Sequence, residues 1–271
     1  SLAHVVKIYR SRLTISDGDK LDLMATELLL LLFAISAPTL VALILSGKAK
    51  ERRAWWLSLC AIGAVVINIL ALGIGSGLMQ PLSSFVGSEL SWNWSGKIIA
   101  IALTLVMYAL LPRPLRAEAG LFAVPRTSDW KSVVGVSALL LAFFWCISYL
   151  FRDGEAVTRE TILFQATMPG LDEEPLYRGV LLALLVSAFG KPWRIAGVGI
   201  GWGALPIILF FGLAHAVSQE LNIEAVVSVF AAIVMGAGFL WLKEKTSSIW
   251  IAVVVHNLAN VGSQIVASMQ P

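Results

Sequence analysis

The chain has 271 residues, 58% of them hydrophobic and 14% charged, with 20 Lys and Arg against 17 Asp and Glu. A soluble domain carries about a quarter charged residues, so this composition excludes a soluble globular enzyme, a disordered chain and a nucleic-acid binder with a basic face. What remains is a polytopic, all-α integral membrane protein.

In chain order, residues 1–22 are polar and mixed, with Leu2, Val5, Val6, Tyr9 and Leu13 at helical spacing opposite Lys7, Arg10 and Arg12. That pattern suits a helix on a membrane surface or a frayed tail, and it is not a signal peptide. Residues 23–271 read as one transmembrane helical domain. Crossing the hydrocarbon takes about 20 apolar residues, and eight runs approach that length: 23–46, 54–75, 97–111, 130–150, 173–189, 195–217, 223–242 and 248–268. They are continuous rather than alternating, which disfavours a barrel. The Gly- and Ser-rich stretch 76–96, with Trp92 and Trp94, reads as an interfacial loop. Cys60 and Cys146 sit in apolar runs and predict no disulfide. Loops after spans one, three, five and seven carry more Lys and Arg than the opposite side, which places both termini outside. The expected home is a prokaryotic cell membrane.

Ionisable side chains within apolar spans are costly and mark function. They are Glu27, whose role the sequence leaves open, then Glu173, Glu174 and Arg178, then His215 and His256. Asp172 reads as a helix cap and Pro175 as a first-turn proline, so the fifth span is expected to start there, after a chain that dips into the membrane and turns at Pro169-Gly170. Glu174 and Arg178, at i,i+4, can pair. Glu173 lies about 100° away around the axis and is free for another partner. His256 and Asn260 stack at i,i+4 and offer an imidazole and an amide to one point. Each feature alone also fits an ion pair at a helix start or a packed core histidine. Together they bring a carboxylate base, imidazoles and an amide into a protein otherwise poor in such groups.

Glu173-Glu174-Pro-Leu-Tyr-Arg178 matches EExxxR, Phe211-Gly-Leu-Ala-His215 matches FxxxH, and His256-Asn-Leu-Ala-Asn260 matches HxxxN. In that order, over about 160–265, the chain resembles the CPBP family, the type II CAAX prenyl endopeptidases and their bacterial Abi-type relatives. The resemblance implies about eight helices around a hydrated active-site cavity and a glutamate-dependent intramembrane endopeptidase. By that likeness Glu173 activates water, His215 helps hold it, His256 and Asn260 stabilise the oxyanion, and Glu174, Arg178 and Phe211 shape the site. No metal is favoured; Glu173, His215 and His256 would be the set if zinc were used. The implied substrate is a membrane-anchored peptide, lipidated or not, in contact with the bilayer; no nucleic acid is implied. The alternatives are a non-catalytic scaffold or immunity protein of the same family, and a transporter.

Overall fold

A computed structural model describes residues 17–77, 90–217 and 222–270. The amphipathic reading of residues 2–13 and most of the interfacial stretch 76–96 lie outside them. The described chain is predominantly helical: α1 Asp17–Leu45, α2 Arg52–Gly77, α3 Trp94–Leu110, α4 Arg113–Ala119, α5 Trp130–Leu150, α6 Arg159–Glu174, a π-helical segment Pro175–Leu181, α7 Leu182–Phe189, a hairpin of β1 Trp193–Ile195 and β2 Val198–Ile200, α8 Ala204–Ala214, α9 Ile223–Thr246 and α10 Trp250–Ala267. Among the described residues, five segments are long and apolar enough to cross a membrane: Thr26–Leu45 of α1, Arg52–Gly75 of α2, and α5, α9 and α10. Helices α3 and α8 are apolar but shorter. Leu29, Phe33, Ile74, Leu139 and Leu150 remain exposed along these helices, as residues meeting lipid do.

Two expectations need correction. The run 195–217 is not one span. It opens as a hairpin in which Ile195 faces Val198 across a two-residue turn, with Ala196 at φ 48° and Gly197 at φ 82°. That double left-handed conformation reverses an antiparallel pair and cannot continue a helix. Only α8 follows. Nor does a helix begin at Asp172. Thr158 caps α6, its hydroxyl accepting from the Thr161 N–H, and the chain stays helical from 159 to 189. Pro175 lacks the N–H that would close an α turn onto the Leu171 carbonyl, and the helix answers with wider π turns over Pro175–Leu181. LDEEPLYRG therefore lies in the middle of a long helix, not at an interfacial start.

Helix α6 is held between α10 and α3, and the π segment also meets α2, α4 and α9. The contact with α10 is close because position 170 is glycine: a Cβ there would come within 2.7 Å of Asn257 Oδ1 and of the Val253 carbonyl. Instead the Gly170 N–H donates to Asn257 Oδ1 at 2.8 Å. On α3 the buried face is Gly96, Ala100 and Thr104, small residues four apart that let neighbouring backbones approach.

The two ends of the bundle differ in chemistry. At one, Lys191 bonds Glu118 at 2.6 Å and Glu244 at 2.5 Å, and Lys243 bonds Glu244 at 2.8 Å, joining α4, the chain after α7 and the end of α9. Burial opposes ionisation of Glu118, but Lys243 and Lys191 outweigh it and hold the carboxyl below its usual value. Burial likewise opposes the Lys191 charge, and hydrogen bonds to Glu118 and Glu244 raise it above normal. Nearby, Asp129 caps α5; hydrogen bonds from Ser132 and then Lys245 hold its carboxyl at about 2. At the opposite end Glu160 accepts from the Ser91 and Trp92 N–H groups and the Trp94 indole, each at 3.1 Å, fastening the start of α3 to the start of α6.

Candidate active site

The polar residues of α6 and the π segment divide by direction. Glu174 and Arg178 are both fully buried. Arg178 Nη1 donates to Glu174 Oε1 at 3.1 Å and Nη2 to the Gly236 carbonyl at 3.2 Å, while the guanidinium lies over the Phe211 ring, 4.3 Å from its centroid. This is the i,i+4 pair the spacing predicted, strengthened by an aromatic face.

His256 joins the pair from α10. Its Nδ1 is 2.8 Å from Glu174 Oε1. A carboxylate oxygen accepts, so Nδ1 carries the hydrogen, and Nε2 is turned towards Glu173, 4.0 Å from Oε2. The imidazole is 5% exposed and stacks on Phe239 at 5.0 Å and 15°. Phe211 is the common neighbour, with ring centroids 5.0 Å from His215 and 6.1 Å from His256.

His215 owes its position to the way α8 ends. Its own N–H bonds the Gly212 carbonyl, which frees the Phe211 carbonyl, and His215 Nδ1 takes that acceptor at 2.6 Å. The bond puts the hydrogen on Nδ1 and the lone pair on Nε2. The half-buried ring lies close enough to Glu173 and His256 to feel both electrostatically. Asn260 lies half-buried one turn beyond His256 on α10, and among the described residues no hydrogen bond ties it to Glu173 or to either histidine. Glu27 sits half-buried on α1.

Two groups were missed by reading the residues in sequence. Lys97 reads as a loop charge at the edge of a short span; in the structure it is 14% exposed and reaches Asp172 Oδ2 at 2.7 Å and Glu173 Oε1 at 2.9 Å. Asp172 is not a cap but a buried carboxylate, whose other oxygen accepts from Asn68 Nδ2 of α2 at 3.1 Å. The signal was present in the charge of Lys97 among apolar residues 98–111, but its partner lies 76 positions away. The other group is Asn257, whose amide clamps α10 to α6 through the Gly170 N–H and the Thr167 carbonyl.

Among the described residues no group of three or more His, Cys, Asp or Glu side chains is placed to hold a metal ion. Glu173 carries the Lys97 ammonium on one oxygen, so a dication beside it would face a positive charge. Lys97 contacts Asp172 and Glu173, while Arg178 and His256 contact Glu174.

Residues 155–262 match the family model of the type II CAAX prenyl endopeptidases, Rce1-like. The matched stretch runs from just before the Thr158 cap through Asn260 and contains all three motifs. Over it the chain is similar to CAAX-type intramembrane proteases. Lys97 and Asn68 lie outside it. Searches of the curated proteins and of the solved structures return no match.

Proposed function

We propose that this protein is an intramembrane endopeptidase that hydrolyses a peptide bond near the membrane-proximal end of a membrane-anchored peptide, with Glu173 as the base that activates water. The family likeness supports the reaction class. The observation that carries the residue assignment is the 4.0 Å approach of Glu173 Oε2 to His256 Nε2, with the remaining polar atoms of both groups already engaged.

By the family likeness His215 helps to hold a water seated against Oε2. Oε2 takes one proton as the water oxygen bonds to the peptide carbonyl carbon. The carbonyl oxygen becomes an oxyanion, which His256 and the Asn260 amide stabilise. Nε2 of His256 can donate to the oxyanion only with a hydrogen on both ring nitrogens, since Nδ1 donates to Glu174. Collapse of the intermediate breaks the C–N bond, and Oε2 returns its proton to the leaving amine. Glu174 and Arg178 do not touch the reacting atoms; they orient His256.

Purified protein in detergent is offered a farnesylated peptide ending in a CAAX sequence, its unprenylated twin and a transmembrane-anchored peptide. We expect the wild type to cut at least one, and Glu173→Ala to lose roughly a thousandfold or more in kcat/KM while keeping its Tm. Equal turnover by both proteins would refute the assigned base.

A further inference from the structure

We infer that Lys97 is a positioning residue for the Glu173 carboxylate: its ammonium pins Oε1 so that Oε2 alone exchanges protons with the reacting water. The inference rests on the hydrolytic reading of the site. It adds a residue from α3 that lies outside both the three motifs and the matched stretch.

The geometry has three parts. The ammonium is shared, 2.7 Å from Asp172 Oδ2 and 2.9 Å from Glu173 Oε1, so its position is set by two carboxylates rather than one. Asp172 is itself held, 1% exposed and fixed through Oδ1 by Asn68. The series Asn68–Asp172–Lys97–Glu173 therefore ties the reactive side chain to α2 and α3 as well as to its own helix. Lastly, Oε2 is the oxygen on the His256 side, at 4.0 Å from Nε2.

A carboxylate rotates readily about its terminal torsion, which is broad and two-fold. Without a fixed donor on one oxygen, both oxygens would compete for the water and for the proton taken from it. A charge-assisted hydrogen bond from the partly buried ammonium removes that degeneracy. The proton leaves water for Oε2 and departs from Oε2 to the amine; Lys97 gains and loses none. Neutralising Asp172 alone would need one contact from Lys97, and the second contact, to Glu173, is the one that reaches the chemistry.

Four proteins test this against the farnesylated CAAX peptide: wild type, Glu173→Gln, Lys97→Met and the double variant Lys97→Met with Asp172→Asn. The double variant removes the carboxylate that Lys97→Met strands, and so guards against misfolding. We expect Lys97→Met and the double variant to lose roughly 10- to 100-fold in kcat with KM nearly unchanged, the size of effect a small displacement of a reacting group produces. Recovery of wild-type kcat in the double variant would overturn the inference, since Lys97 would then serve only to balance Asp172. A second readout needs no substrate: the infrared carboxylate bands of Glu173, isolated by subtracting the Glu173→Gln spectrum, should shift in the double variant as Oε1 loses its ammonium. Unchanged bands overturn the positioning role. A wild type that cuts no peptide but shows the shift would refute the hydrolytic reading and leave the ammonium contact standing.

Discussion

Arg178 and His256 converge on one atom, Oε1 of Glu174, from 3.1 and 2.8 Å, although they lie 78 positions apart and on different helices. The oxygen is fully buried, so neither donor has water as a substitute. Glu174 is thus the hinge between the charge pair within one helix and the imidazole brought in by another. Its neighbour Glu173 is 21% exposed and bonds a different cation. The two adjacent glutamates have separate duties because a helix turns them about 100° apart.

Glu174→Ala and Glu173→Ala should therefore differ in kind. Removing Glu174 strands Arg178 as a buried unpaired charge, which costs about 3–5 kcal/mol, and activity falls with stability. Removing Glu173 should abolish turnover with a Tm within a few degrees of the wild type. Thermal unfolding in detergent beside kcat separates the two; a Glu174→Ala protein that is stable but inactive would exchange their roles.

Gly170→Ala should loosen the seam between α6 and α10. The added methyl would meet Asn257 Oδ1 and the Val253 carbonyl at 2.7 Å, and one of these is backbone that cannot swing aside. An overpacked contact of this kind costs about 1–3 kcal/mol. His256 follows Val253 by three residues on α10, so kcat should fall with stability while peptide binding changes little. A variant with unaltered Tm and kcat would contradict the closeness of this contact.

The ionic cluster at the far end should give stability a defined pH window. The Glu118 carboxyl is held low, so its contribution is complete above the unfolded value near 4.3 and is lost as pH falls through the lower folded value. The Lys191 charge is held high, so its contribution is complete below about 10.4 and is lost as pH rises through the higher folded value. Glu118→Gln should lower stability by about 1 kcal/mol at neutral pH, since the cluster is partly open to water. It should also flatten the acid side of a Tm-against-pH curve. An unchanged acid limb would show that the cluster does not govern it.

Orientation follows from the same asymmetry of the ends. Arg53, Glu118, Lys191 and Lys243 gather at one end through contacts with Ser187 and Glu244, whereas Arg152 and Glu160 mark the other. The basic end should face the cytoplasm. Lys97 lies one turn into α3 from the other end, so the site should lie nearer the outer surface. With Cys60 and Cys146 replaced, Glu155→Cys should react with an impermeant maleimide on intact cells, and Ser128→Cys only after permeabilisation. The reverse pattern would invert the topology.

The class of the protein and its motif residues were legible because both are local. Composition reports the solvent that a chain must meet, and EExxxR places a carboxylate and a guanidinium one turn apart whatever surrounds them. The count of spans was less legible. Apolar length alone does not distinguish a helix from the Ala196–Gly197 hairpin, and Pro175 looks like a helix start unless the π turns that absorb it are seen. Lys97 and Asp172 were misplaced for a related reason, since a lysine at the edge of an apolar run looks the same whether it reaches water or a buried carboxylate.

By itself, then, the order of amino acids determined a helical membrane protein, the identity of its motif side chains and the Glu174–Arg178 pair. Only the tertiary structure decided that His256 binds Glu174, that Lys97 holds Glu173, and that one long π-widened helix carries both glutamates. The reason is that these contacts join residues 76 to 82 positions apart. Their existence depends on how helices cross, which is set by packing at places such as Gly170 rather than by the spacing within any one segment.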